Sequence, residues 1–186
     1  MAADNFVIYH GALRAFLETP DASLAEFEQT GRIKWATDLA EIPGKFGISN
    51  VYGEIGTSFA TCAVANPRMA AALMGTLVRG LGADHVLWGS DSVWYGSPQW
   101  QIEAMRRLEI PDEMRRKHNF AALGAAEGPT KTAIFGGNAA RLYRINQRAA
   151  LGEITGDKIA AIKAEYVAAG GMRSNRRYGY VHRVSV

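Results

Sequence analysis

The sequence predicts an α/β fold built on a short parallel sheet, and three observations support this class. Three apolar runs are typical of buried strands, because they are short and rich in β-branched and aromatic residues. Segments with helix signals separate them, which is the pattern of right-handed βαβ units. The strand ends, near residues 10, 54 and 91, are 44 and 37 residues apart, enough for a crossover helix with a loop on either side.

The predicted strands cover residues 6–9, 51–55 and 86–88, with turn residues on their flanks. Their sequences FVIY, VYGEI and VLW are nearly continuous apolar runs, as parallel strands buried on both faces require.

The helices are predicted from their start and stop signals. SLAE at residues 23–26 has the sequence of a capping box, and Gly31 is a suitable end for that helix. Asn66-Pro67 and Ser97-Pro98 each place an N-cap before a proline at the first helical position. The two helices that follow these prolines are predicted over residues 68–81 and 99–108.

Composition narrows the class of protein. Hydrophobic residues make up 48% of the chain and charged residues 21%, as in ordinary globular proteins. No apolar run approaches the roughly 18 residues that span a membrane, and the start has no basic region typical of a secretory signal. Cys62 is the only cysteine, which excludes an internal disulfide and favours the reducing cytoplasm.

Charge separates a body from a tail. Residues 1–140 carry 12 Lys or Arg against 15 Asp or Glu, whereas residues 141–186 carry nine against three. We therefore divide the chain into a body, residues 1–145, and a carboxyl-terminal helix with a basic tail, residues 146–186. Thr155-Gly156-Asp157 is predicted to start this helix, which runs to about Ala169 and stops at Gly170-Gly171. Its apolar positions predict that it packs against another element; they are Ile159, Ile162, Tyr166 and Val167.

The tail sequence MRSNRRYGYVHRVSV, residues 172–186, has two interpretations. Its four arginines and two tyrosines are compatible with nucleic-acid binding. We favour an arm that covers an acidic surface, because the stretch is short and the body is acidic. Nucleic acid is therefore not the expected partner.

Each predicted strand finishes at or near an ionisable residue: the first at His10, the second around Glu54 and the third at Asp91. The carboxyl ends of parallel strands lie at one edge of a sheet, where α/β folds place ligands and chemistry, so these three groups are expected to converge. Each also has an ordinary interpretation, since Asp91 between two serines suits a turn, His10 suits a structural hydrogen bond and Glu54 suits a solvated loop. Their recurrence at three successive strand ends favours a site.

The motifs FVIYHGAL, NVYGEIG, HVLWGSDSVWYG and IFGGNAARLY, in this order, resemble the carboxyl-terminal part of metal-dependent amidohydrolases, in particular the branch that includes decarboxylases of aromatic acids. The resemblance covers about residues 5–145. It implies three βα units, equivalent to strands six to eight of a TIM-type (β/α)₈ barrel, with Asn138 as the cap of the last helix.

The resemblance also implies a chemistry. Asp91 would bind a divalent metal and accept a proton from the attacking water, and His10 would be a second ligand or an acid/base. Zn²⁺ is the expected metal, with Mn²⁺ or Fe²⁺ as alternatives, because such ions make hydroxide available at neutral pH. Glu54, Trp94 and Tyr95 are candidate substrate-binding residues for a small molecule, although Trp94 and Tyr95 suit core packing equally well.

The chain departs from the family in lacking the His-x-His pair of the first strand and the fifth-strand histidine. His85 is expected at the amino-terminal end of its strand and His118 on a solvated helix, so neither replaces them. About 145 residues fall short of the roughly 250 of a barrel, so the fold is incomplete as given. We expect it to associate with a second copy or with a complementing amino-terminal half.

Three functions remain open on the sequence. The first is a metal-dependent hydrolase, and the second is a non-oxidative decarboxylase on the same scaffold. The third is a non-catalytic half-barrel that acts as an assembly piece or is inactive alone.

Overall fold

The computed structural model of the chain describes residues 7–10, 18–146 and 157–171. The strands are β1 (Val7–His10), β2 (Val51–Glu54) and β3 (Val86–Leu87), and a 3₁₀ turn over Ala83–His85 leads into β3. The helices are α1 (Pro20–Thr30), α2 (Ala36–Phe46), α3 (Gly56–Ala65), α4 (Pro67–Leu81), α5 (Ser92–Tyr95), α6 (Pro98–Arg107), α7 (Asp112–His118), α8 (Pro129–Thr132), α9 (Asn138–Leu142) and α10 (Lys158–Ala168), with a π-helical turn over Ala133–Gly137 before α9.

The strands form one parallel sheet in the order β1-β2-β3. Val7 is opposite Val51 in the register of the first pair, and Glu54 is opposite Leu87 in the second. The three predicted strands are confirmed with small shifts of their ends. The last one stops at Leu87, one residue early, because the Trp88 N–H donates to the Ile134 carbonyl at 3.1 Å.

Helices α2 and α4 cover one face of the sheet. Val51 is buried there, and the place a side chain would take on Gly53 is filled by leucines of both helices. Helix α4 is the most deeply buried: Leu73, Met74 and Leu77 are fully inaccessible. Each such side chain stabilises the fold by about 1.5–3 kcal/mol through removal of apolar surface from water.

The cap predictions for α4 and α6 are confirmed. The Asn66 side chain accepts from the Met69 N–H at 3.0 Å, and the Ser97 hydroxyl accepts from the Gln99 N–H at 3.3 Å. The start predicted for α1 is wrong. This helix begins at Pro20, three residues before the predicted capping box, because the Thr19 hydroxyl caps it. Its end at Gly31, in the left-handed conformation with φ 73°, is confirmed.

The predicted role of Asn138 as a helix cap is also wrong. Asn138 has helical backbone angles, since the π-helical turn continues directly into α9. Its buried side-chain amide donates to the carbonyls of Ala83 and Val86, both at 2.8 Å. It therefore ties α9 to the start of β3.

Helix α10 begins as predicted, because the Asp157 side chain accepts from the Ala160 N–H at 2.6 Å. The expectation that its apolar positions pack against another element is not met within the described part of the chain, where they are 49–69% exposed. The basic tail, residues 172–186, lies outside the described residues. Within residues 7–10, 18–146 and 157–171, no helix has the length and apolar character needed to cross a membrane.

Candidate active site

The three strands end at a common level, as the sequence predicted. His10 is the register partner of Glu54, and Glu54 is the partner of Leu87, the last residue of β3. Asp91 follows four residues later, after the loop that leaves the strand. The His10 side chain lies outside the described part of the chain, so its role stays a prediction.

The Asp91 carboxylate is fixed by the beginning of helix α3. Its Oδ2 atom accepts from the Thr57 N–H at 2.7 Å and from the Thr57 hydroxyl at 2.5 Å. The Asp91 backbone has the left-handed conformation, with φ 44° and ψ 35°. Aspartate adopts this conformation more readily than most residues, and here it turns the chain from β3 into α5.

Glu54 meets the same helix end. Its Oε1 atom accepts from the Gly56 N–H at 2.9 Å. Gly56 and Thr57 are the first two residues of α3, whose backbone N–H groups have no partner within the helix. The partial positive charge of a helix amino terminus stabilises carboxylates placed there. Two negative side chains from different strands thus share one helix end.

Two glycines make this arrangement possible. A Cβ atom on Gly56 would lie 2.7 Å from Asp91 Oδ2 and 3.0 Å from Glu54 Oε1. The two carboxylate oxygens are therefore no farther apart than the sum of these two distances. A Cβ atom on Gly89 would overlap Glu54 Oε1, at 1.4 Å. Any larger residue at position 89 would therefore displace the Glu54 carboxylate.

The two candidate aromatic residues follow Asp91 on helix α5. Trp94 is 83% exposed. Tyr95 is partly buried, and its carbonyl accepts from the Trp100 indole N–H at 3.2 Å. The structure thus brings Glu54 and Asp91 together, and it places Trp94 on the surface beside them.

The sequence did not identify two residues that support the site. Thr57 holds Asp91 from 34 positions away in the chain, and Gln101 on α6 donates to the carbonyl of Ser90 at 2.7 Å. A signal for Thr57 exists, since Gly56-Thr57-Ser58 directly after a strand suits a helix start. Gln101 has no comparable signal, because its contact depends on how α6 packs under the loop.

His85 and His118 make structural contacts. His85 precedes β3, as predicted, and its ring stacks on Tyr52 with centroids 4.6 Å apart. Helix α7, which carries His118, is largely exposed as predicted, and the His118 ring itself is partly buried because it packs against Phe27 and Phe120. Burial, followed by the nearby positive charges of Lys117 and Arg79, lowers the pKa of His118.

The carboxylates of Glu54 and Asp91 are suitable ligands for a divalent metal, but two side chains are too few to hold one. Carboxylate oxygens are suitable ligands, yet no three His, Cys, Asp or Glu side chains come close enough to hold an ion in the part of the chain that the structure describes. Cys62 is buried, and burial raises its pKa to about 12, so its thiol is protonated at neutral pH. A third donor would have to come from His10 or from outside the described residues.

Comparison of the chain with family models, with curated proteins and with solved structures gave no match in any of the three. The resemblance to amidohydrolases therefore rests on the sequence motifs alone.

Proposed function

We propose that this chain is part of a metal-dependent hydrolase of the amidohydrolase type that acts on a small molecule. The observation that supports the proposal best is the pair of carboxylates, Glu54 and Asp91, at the carboxyl edge of a parallel sheet. The carboxyl edge of a parallel sheet is where α/β folds place ligands and catalytic groups.

In this proposal the residues of the chain have distinct tasks. Asp91 accepts the proton of the attacking water, while Thr57 keeps the carboxylate in one orientation through two hydrogen bonds. Glu54 binds a polar group of the substrate, and His10 assists from the neighbouring strand. A divalent metal, with Zn²⁺ as the first choice, would supply an acidified water when bound.

The three βα units would be the equivalents of strands six to eight of a (β/α)₈ barrel. The remaining units would come from a complementing amino-terminal part or from a second copy. Exposure of β1 favours this association: Val7 and Tyr9 are 46% and 45% exposed, whereas Val51 beside them is buried. The same feature also supports the rival, a half-barrel without activity of its own. We propose the cytoplasm as the compartment, since the single cysteine is buried and unpaired.

The test is metal binding by the purified full-length chain, measured by elemental analysis and by calorimetric titration with Zn²⁺ and Mn²⁺. We expect about one tightly held ion per chain, and we expect Asp91→Asn to weaken binding strongly. Asp112→Asn is the matched control, because this carboxylate is exposed at the start of α7 and pairs only with Arg115 among the described residues. Equal binding by the wild type and Asp91→Asn would contradict the role of Asp91.

Substrate screening then separates the two reactions. Esters and lactones would be turned over by a hydrolase, whereas aromatic carboxylic acids would lose CO₂ in a decarboxylase. For either reaction, Asp91→Asn is expected to lower kcat by roughly 10²–10⁴-fold, the usual contribution of a positioned acid or base. If the folded wild type binds no metal and turns over no substrate, the result favours the rival function, a half-barrel without activity of its own.

A further inference from the structure

Gln101 lies beneath the loop that carries Asp91. It is on helix α6, and its side chain is fully buried. Its Nε2 atom donates to the carbonyl of Ser90 at 2.7 Å. Ser90 immediately precedes Asp91, so this bond fixes the peptide group through which the chain enters the left-handed conformation of Asp91.

Further hydrogen bonds of this turn involve Asp91 itself and the residues after it. The Asp91 carbonyl accepts from the N–H groups of Trp94 and Tyr95, at 2.9 and 3.2 Å, and the carboxylate accepts from Thr57. A left-handed backbone conformation costs energy for a residue other than glycine, so the surroundings must hold it. Among the described residues, Gln101 is the side chain that binds the backbone before Asp91, at the carbonyl of Ser90.

The energetics of Gln101 support a dedicated role. Its Oε1 atom is buried and has no hydrogen-bond donor among the residues that the structure describes. A buried carbonyl without a partner is unfavourable, and an apolar side chain of similar shape would avoid that cost. A glutamine here is therefore a poor choice for packing alone, and the bond to Ser90 accounts for it.

We propose that Gln101 is a positioning residue for Asp91. By holding the Ser90 carbonyl, it sets the direction in which the Asp91 carboxylate leaves the turn and meets Thr57. The consequence for catalysis rests on the proposed function, whereas the geometric claim stands independently of it.

The test replaces the carboxamide and measures the Thr57 amide. Gln101→Met removes the donor while keeping a similar side-chain length, and Gln99→Met makes the same change at an exposed position of the same helix. In assigned ¹H–¹⁵N spectra of the full chain, we expect Gln101→Met to move the Thr57 amide resonance upfield and to speed its exchange with solvent roughly tenfold. Gln99→Met should leave both unchanged.

A second variant covers the case in which Gln101→Met does not fold. Gln101→Asn keeps a buried carboxamide that is one methylene too short to reach Ser90, so the same change at Thr57 is expected. A folded variant of either kind with a wild-type Thr57 amide would overturn the proposal. Circular dichroism and the Tm establish that the variants are folded.

Zn²⁺ titration of the same proteins separates this proposal from the proposed function. If Gln101→Met releases the Thr57 amide but the wild type binds no Zn²⁺, the positioning role stands and the metal-dependent function fails. If the wild type binds Zn²⁺ and Gln101→Met has an unchanged Thr57 amide, the positioning role fails and the proposed function survives. Where the wild type turns over a substrate, Gln101→Met should lower kcat with little change in KM.

Discussion

The two ends of the sheet differ in where they place negatively charged side chains. At the amino-terminal end, side chains donate to backbone carbonyls: Asn138 binds those of Ala83 and Val86, and Arg141 binds that of Asp84 at 2.5 Å. At the carboxyl end, backbone N–H groups of α3 donate to two carboxylates. The first arrangement satisfies backbone carbonyls, including that of the buried Val86, whereas the second brings two negative charges together.

This difference distinguishes groups that stabilise the fold from groups that are suited to chemistry. Satisfying a buried carbonyl is favourable by itself, because an unpaired one loses its hydrogen bonds to water. Two carboxylates side by side repel each other, and the positive end of a helix dipole offsets such repulsion. Substitutions at the two ends should therefore have opposite profiles of stability and activity.

The largest loss of stability is expected from Asn138→Leu. The change leaves the carbonyls of Ala83 and Val86 without their donor in a buried position, which should lower the free energy of unfolding by about 2–4 kcal/mol. Urea denaturation measures this quantity. Gln99→Leu is the control, because it makes the same kind of change at an exposed site. A loss below about 0.5 kcal/mol would show that the amino-terminal end does not depend on Asn138.

A smaller effect on stability is expected from Asp91→Asn. The new side chain can still accept from Thr57, it loses the attraction to the helix end, and it removes the repulsion from Glu54. These changes oppose one another, so the free energy of unfolding should stay within about 1 kcal/mol of the wild type. The same urea experiment measures it. A loss as large as that of Asn138→Leu would mean that Asp91 is primarily a structural residue, and the contrast between the two ends would disappear.

Local signals in the sequence predicted the elements that local chemistry determines. The apolar runs gave the three strands, and Asn66-Pro67 and Ser97-Pro98 gave two helix starts. The start of α1 could have been found by the same rule, because Thr19-Pro20 is the same kind of signal and takes precedence over the capping box three residues later.

The contacts that the sequence did not predict join distant parts of the chain. The charged neighbours of His118 predict the exposed helix on which it lies, but they do not predict that Phe27, some ninety residues away, packs against its ring. Asn138 was expected to cap a helix, and its actual partners are 52 and 55 positions earlier. No periodicity in the sequence encodes which helix passes near which turn.

The candidate site shows the same limit. The positions of Glu54 and Asp91 followed from strand ends, since parallel strands bring their carboxyl ends to one edge. That both carboxylates bind the start of α3 did not follow, because it depends on the two glycines that leave room for them. The residues that carry charge were predictable, and the residues that hold them in place were not.

The smallest expected effect is a change in the pH dependence of stability on replacing Asp84, at the amino-terminal end. The hydrogen bond from His85, at 3.0 Å, lowers the pKa of Asp84, so the folded protein binds a proton at Asp84 less readily than the unfolded chain does. The stabilisation is therefore present above the ordinary aspartate pKa of about 4 and is lost as the pH falls through the lower folded value. The Asp84 side chain is 61% exposed, so solvent screening should keep the effect below about 1 kcal/mol.

Urea denaturation between about pH 5 and pH 2 measures this effect. As the pH falls, the free energy of unfolding should decrease less for Asp84→Asn than for the wild type, with Asp112→Asn as the control. Identical acid limbs for all three proteins would mean that the Asp84–His85 pair adds nothing to the structural end of the sheet.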